Sequence, residues 1–315
     1  MGAAAVTMAL TLTACTGSAP ADRSAPVAKS VVWVRSAKFP VAPVPTPDGG
    51  LLYGERLSGR VRSVDARGVL APTPIAAVGV AGALDDQRGL LGLARISDGG
   101  LYASWTRRED RRLVVGELAP TNTGAPRLVW VGPVSADRAN GGTLAIAANG
   151  ELLIGIGDLL EPRTLADRST RPNRKILMLD PAGPPTQIPR IVSRGWNNPY
   201  ALAVGRDGTP WVADNAGGAM RERIGRADRP ASAASPLGPR RHTIAPSGLV
   251  ELGRGRLGVC GFVSRRVVLY RVVDGVIRAT GVTVAQPCAT GVTRLTDGRI
   301  ATLTETAVFV SPAAA

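Results

Sequence analysis

Histidine is almost missing from this chain of 315 residues; there is one, His242. Cysteine is nearly as scarce, at three, and no Cys-x-x-Cys pair or Cys/His cluster occurs. Nothing is therefore available to build a structural zinc centre. Lysine is rare as well: Lys29, Lys38 and Lys175 are the only ones among 38 basic residues. Long apolar runs are absent, and the longest, near the N-terminus, is too short to cross a bilayer as a helix. Five Trp, four Tyr and three Phe are all the aromatics. What the chain has in quantity is turn chemistry, with 38 Gly and 25 Pro, beside many Val and Thr. That mixture points to short strands and tight turns, and 44% hydrophobic content excludes wholesale disorder.

The charge balance is +14, from 38 basic against 24 acidic residues. A nucleic-acid binder of this charge would show a clustered basic stripe or stacking aromatics. Here arginines are scattered through every segment, so they read as solvated surface with weak attraction to an anionic membrane, and no nucleic-acid partner is expected.

Residues 3–14 form a short apolar stretch running into Leu12-Thr13-Ala14-Cys15. This resembles a bacterial lipoprotein signal, which implies cleavage before Cys15, acylation of that cysteine and a lipid-anchored, extracytoplasmic protein. One feature departs from the pattern: no Lys or Arg precedes Arg23, so the basic n-region is missing. Of the two remaining cysteines, Cys260 and Cys288 lie 28 residues apart beside strand-like sequence and are expected to form one disulfide outside the cytosol. Residues 16–47 carry six prolines and read as a semi-rigid tether, with a strand-like Val31–Val34 that offers a closing strand.

From Asp48 onward a turn dipeptide followed by a β run recurs. It appears at Asp48-Gly49, Asp98-Gly99, Asn149-Gly150, Asp207-Gly208 and Asp297-Gly298, with Gly253-Arg254-Gly255 as a looser sixth case. A second aliphatic strand follows most of them. Repeats of this length with several strands each predict an all-β, six-bladed β-propeller over residues 48–315. Two β-sandwiches with fortuitous turn spacing are the competing architecture. Loops of a propeller converge on one end of its channel, where a small-molecule ligand, a sugar or an anion, is expected to sit; the expected state is a monomer.

Motifs in fixed order carry a family resemblance. They are Asp48-Gly49-Gly50-Leu51-Leu52, Gln87-Arg88-Gly89-Leu90-Leu91-Gly92-Leu93, Gly141-Gly142-Thr143-Leu144 leading to Ile156-Gly157-Asp158, and Lys175 to Pro181. Asn198-Pro199, Trp211-Val212-Ala213-Asp214 and Ala245 to Leu249 complete the series. Together they resemble the glucose/sorbosone dehydrogenases, six-bladed propellers that use pyrroloquinoline quinone (PQQ) and Ca²⁺.

The resemblance implies a histidine base two positions before the Gly141-Gly142 turn. This chain has Ala139 there, with Arg138 in place of the usual acidic neighbour. The family's Arg-Asn-Pro reads Asn197-Asn198-Pro199, so a cation is also gone. Gln87, Asn198, Asp158 and Arg265 (or Arg266) are the cofactor-binding positions that the resemblance leaves. Residues 214–222 match the calcium loop, with Gly217 and Gly218 as carbonyl ligands, although the family's proline is missing there. Each has a plainer reading: Gln87 satisfying backbone groups, Asp158 forming a turn, Arg265 and Arg266 solvated, His242 on a loop, the five tryptophans in blade cores. Two functional expectations follow, against the reading of an unrelated all-β lipoprotein. One is a propeller with little or no sugar oxidation and a binding or envelope role. The other is an active quinoprotein aldose dehydrogenase that uses a different base.

Overall fold

The computed structural model describes residues 29–119, 124–216, 220–238 and 244–313. Cys15, Gly217, Gly218 and His242 lie outside the described residues. Six four-stranded antiparallel sheets form a six-bladed β-propeller. From the channel outward, the first blade is Pro40–Pro45, Leu51–Glu55, Arg60–Val64 and Ala76–Ala77. The second is Leu90–Arg95, Leu101–Thr106, Arg112–Glu117 and Arg127–Val134. The third is Gly141–Ile146, Leu152–Ile156, Lys175–Leu179 and Arg190–Arg194. The fourth is Pro199–Val204, Pro210–Asp214, Arg223–Arg226 and Ser235–Pro236. The fifth is Pro246–Gly253, Arg256–Gly261, Val267–Val273 and Val276–Ala285. The sixth combines Gly291–Arg294, Ile300–Leu303 and Val308–Ser311 with Val31–Val34 from the other end of the chain.

The recurrent turn dipeptides join the innermost strand of each blade to the second. Gly49, Gly99, Gly150, Gly208 and Gly298 all have positive φ, which glycine adopts without a Cβ penalty. The preceding Asp or Asn closes the turn: Asp98 Oδ1 accepts from Gly100 N at 3.0 Å and Asp207 Oδ1 from Thr209 N at 3.0 Å. The runs after these turns are second strands, buried on both faces because a blade lies against each side. Leu51–Glu55 and Leu152–Ile156 are buried throughout, which is why they read as continuous apolar runs.

Cores therefore lie between blades. Val41, Val61 and Ala76 of the first blade pack with Leu90, Ala103 and Trp105 of the second. Leu113, Val115 and Trp130 of the second pack with Leu152, Ile154 and Leu177 of the third. Trp196 is fully buried, and Trp33 and Trp211 pack against neighbouring clusters, so the tryptophans serve the blades. Each innermost strand packs beside the next round a closed ring. A Cβ at Gly92 would come within 2.6 Å of Gly142 O, so only glycine permits that approach.

One boundary differs from the sequence reading. Residues 16–47 read as a tether, yet Pro40–Pro45 is the innermost strand of the first blade. Prolines are tolerated because this strand pairs on one edge only, with Leu51–Glu55, while its other edge borders the channel. The chain ends are closed by Val31–Val34 pairing with Val308–Ser311.

Cys260 and Cys288 form a disulfide, tying the second strand of the fifth blade to the segment that leads into the sixth. A bridge closing a loop of this length stabilises by about 3–4 kcal/mol through the entropy of the unfolded chain. Replacing both cysteines by alanine is expected to lower the unfolding free energy in urea by about that amount. An unchanged denaturation midpoint would show that the bridge adds nothing.

Candidate functional site

Every innermost strand runs the same way along the channel, so the residues just before the six strands gather at one mouth. There they line a pocket of about 230 Å³. Its walls include Phe39 and Arg56 from the first blade, Asp86 and Gln87 before the second, and Asn215 and Tyr200 from the fourth. Ser247 and Phe262 of the fifth and Thr290 before the sixth complete it.

The polar side chains at this mouth hold backbone. Arg56 is buried and donates through Nη1 to Asp86 O (2.6 Å) and Arg88 O (3.0 Å), and through Nη2 to Ala83 O (3.2 Å). Its guanidinium lies 4.1 Å from the centre of the Phe39 ring, and its Nε is buried without a partner. Asn198 Oδ1 accepts from Gly141 N at 2.9 Å, and Gln87 Oε1 accepts from Ala139 N at 2.8 Å, so both fix the start of the third blade. Asp214 accepts from Asn197 N (2.9 Å), Asn198 N (2.7 Å) and Arg223 Nη2 (2.5 Å), fixing the fourth. Glu222 accepts from Ile244 N (2.7 Å) and Ala245 N (2.8 Å) before the fifth. Thr290 Oγ1 donates to Pro40 O at 2.6 Å, linking the sixth blade to the first.

Against these clamps the carried-over positions sort themselves. Gln87 lines the pocket, and its amide nitrogen has no partner among the described residues. Asn198 is buried with its amide oxygen spent on Gly141. Asp158 Oδ1 accepts from Leu160 N at 2.9 Å in a turn, and its half-buried carboxyl is pushed up by burial. Arg265 is exposed, points two nitrogens at Glu305 (2.6 and 2.9 Å) and does not line the pocket. Arg266 is exposed as well. Ala139 is buried at φ +55°, with its amide held by Gln87 and its carbonyl by Leu159 N at 3.1 Å. It carries no group that accepts a proton. Arg138 beside it is exposed.

Two residues that sequence reasoning passed over matter more. Arg56 follows a strand at an ordinary turn, and nothing in its neighbourhood along the chain announces that it is buried. Tyr200 lines the mouth pocket and the channel below it, and its hydroxyl makes no hydrogen bond among the described residues. Burial pushes that hydroxyl above the ordinary tyrosine range, opposed by Arg56, so at neutral pH it is a donor. Asp86 is no free base, since it accepts from Ala83 N and Arg88 N and lies 3.7 Å from Arg56. Among the described residues no group of three His, Cys, Asp or Glu can hold a metal ion.

The pocket thus presents two free donors, the Gln87 amide and the Tyr200 hydroxyl, beside the buried charge of Arg56 and the rings of Phe39 and Phe262. That set fits an acceptor-rich, anionic ligand, a description that includes PQQ. It does so mostly through residues other than those the resemblance names.

Among the clamps, Asp214 has the clearest energetic signature. Burial pushes its carboxyl up, while Arg223 and the amides of Asn197 and Asn198 pull it back. Asp214→Ala leaves Arg223 unpaired and two buried amides orphaned, and is expected to cost about 3–5 kcal/mol in urea unfolding. A loss under about 1 kcal/mol would mean that water replaces the carboxylate.

The family model for glucose/sorbosone dehydrogenase matches residues 37–226, more than half of the chain. No curated protein sequence matches it. Solved structures with the same fold include the soluble aldose sugar dehydrogenase of Escherichia coli in its apo form. That one is 19% identical with a TM-score of 0.74, covering 91% of this chain and 100% of that one. The PQQ-bound aldose sugar dehydrogenase of Streptomyces coelicolor is 21% identical with a TM-score of 0.69, covering 91% and 99%. An oxidoreductase described as a glucose dehydrogenase, from Thermus thermophilus, is 23% identical with a TM-score of 0.72, covering 90% and 99%. The ordered motifs, the six-bladed ring and the extent of the family match lead to one conclusion: this chain belongs to the glucose/sorbosone dehydrogenase family.

Proposed function

We propose that this protein is a family member that binds a small, acceptor-rich ligand in the mouth pocket and oxidises aldoses poorly or not at all. The observation that carries the reading is Ala139. It stands where the resemblance puts the base, with its amide and carbonyl both tied down. When bound, PQQ supplies a two-electron acceptor, and the residues that would hold it here are Gln87 and Tyr200, with the buried charge of Arg56 beside them. For sugar oxidation this chain must still take a proton from the C1 hydroxyl. Burial pulls Arg56 below the ordinary guanidinium range, but a guanidinium is still no base; Tyr200 is held protonated by burial, and a glutamine amide is no base either. Arg138 adds a positive charge near the mouth, which favours an anionic ligand over a neutral sugar.

The second part of the proposal concerns place. The protein works outside the cytoplasm, anchored through an acylated Cys15, with calcium bound at the Gly217-Gly218 loop if the family's cofactor is retained. The Cys260–Cys288 bridge supports an oxidising compartment.

Purified protein supplied with PQQ and Ca²⁺, then with aldoses and an electron-accepting dye, is expected to turn over about 10²–10⁴-fold more slowly than an active relative. Ala139→His with Arg138→Asp is expected to recover only part of that deficit, because Asn197 still stands where the family has arginine. Turnover of the unmutated protein within about tenfold of an active relative would instead establish a dehydrogenase with a different base. For the anchor, Cys15→Ala is expected to shift the protein from the membrane to the soluble fraction. Wild-type protein found wholly in the cytosol would overturn that assignment.

A further inference from the structure

At the opposite end of the channel the six innermost strands finish, and arginines gather where they do. Arg95 ends Leu90–Arg95 in the second blade and Arg294 ends Gly291–Arg294 in the sixth. Arg206 lies just beyond Pro199–Val204 in the fourth. These are alternate blades of a six-membered ring, so the three residues are spaced roughly a third of a turn apart about the channel axis. They line one cavity of about 470 Å³, in which Glu251 is the only carboxylate among the lining residues. An adjoining lobe of about 620 Å³ shares Arg206, Glu251 and Arg294 and adds Asp207, Arg254 and Arg256.

Lack of a paired carboxylate is common among the exposed arginines of this chain; what distinguishes these is that they line one cavity. Arg88, Arg127, Arg223 and Arg265 all face a carboxylate elsewhere in the chain. The side chains of Arg95, Arg206, Arg254 and Arg294 make no ion pair and no hydrogen bond among the described residues. The nearby carboxylates are committed to their own turns. Asp207 accepts from Thr209 N and Thr209 Oγ1, each at 3.0 Å, and Glu251 Oε1 accepts from Gly253 N at 2.6 Å. Asp48, exposed at the first turn, feels the field of Arg95, but its carboxyl is lowered chiefly by Thr46. Three like charges therefore converge on a recess whose walls are Leu93, Leu144, Leu202 and Leu249, and no carboxylate is paired with any of them. Apolar walls strengthen the field in such a recess, and each guanidinium offers a planar fork that matches paired oxygens.

We propose that this far mouth is a binding site for a small polyanion, a polyphosphate or a tricarboxylate, held by Arg95, Arg206 and Arg294 with Arg254 at the rim. The site is separate from the Tyr200 pocket and does not depend on whether that pocket serves sugar chemistry. Its shape decides against a flat partner: the three arginines surround a cavity instead of projecting from one face.

The test is calorimetric titration of the full chain with tripolyphosphate and with citrate, using glucose as a neutral comparator. Arg294→Gln is expected to weaken polyanion binding about tenfold, and Arg95→Gln/Arg206→Gln/Arg294→Gln to abolish it. Because the three charges repel one another, the triple variant is expected to melt no lower than the unmutated protein. Tripolyphosphate is expected to raise the melting temperature of the unmutated protein only. Arg67→Gln/Arg163→Gln/Arg190→Gln removes the same charge from exposed positions elsewhere. It is expected to change affinity less than about twofold at physiological salt. The proposal fails if a folded triple variant or Arg294→Gln binds as the unmutated chain does, or if the control variant weakens binding as much. It also fails if anionic vesicles bind in an Arg294-dependent way while neither small anion does, since the far mouth would then be a membrane contact.

Discussion

Side chains that hydrogen-bond the backbone where each blade begins are the interaction on which the rest of this propeller depends. A ring of six sheets has no helix or second layer to set the angle between neighbours. Angle and spacing come from apolar packing between blades and from fixed points where the chain crosses from one blade to the next. Arg56, Asn198 with Gln87, Asp214, Glu222 and Thr290 supply five such points, and all sit at the same mouth. Buried backbone groups left without partners would each cost on the order of 1–3 kcal/mol, so these contacts are structural necessities before they are anything else.

That has a consequence for function. In this chain, positions that resemblance links to a cofactor are used largely to hold the scaffold. Asn198 has its oxygen on Gly141 N, and Arg265 has its charge on Glu305. What faces the pocket is Gln87, one such position, whose amide is a free donor, together with Tyr200, the buried charge of Arg56 and the rings of Phe39 and Phe262. On the proposed reading, binding and catalysis separate on physical grounds. A donor-lined apolar pocket can recognise acceptors, whereas proton abstraction requires a base of suitable pKa, and none of these groups has one.

The two ends of the channel also differ in kind. At one mouth the charged groups are engaged: Arg56 on carbonyls, Asp86 on amides, Asp214 on Arg223. At the other, Arg95, Arg206 and Arg294 stand around a recess without an ion pair among the described residues. An overall charge of +14, which in composition looks like a diffuse property of the surface, is thus partly concentrated along one axis.

Local chemistry was enough to reveal the second strand of every blade, the blade number and the closing strand at Val31–Val34. An Asp-Gly turn and a strand buried on both faces leave their mark in adjacent residues. The innermost strands were far less legible. Pro40–Pro45 looks like a tether, because proline reads as a strand breaker unless one knows that the strand's other edge borders a channel. Arg56, Tyr200 and the alternation of Arg95, Arg206 and Arg294 had no local signature whatever. Whether an arginine is solvated, clamped or converging on a cavity depends on residues that lie far away along the chain. Closure of the ring brings them together, and only the folded ring decides which of them have partners.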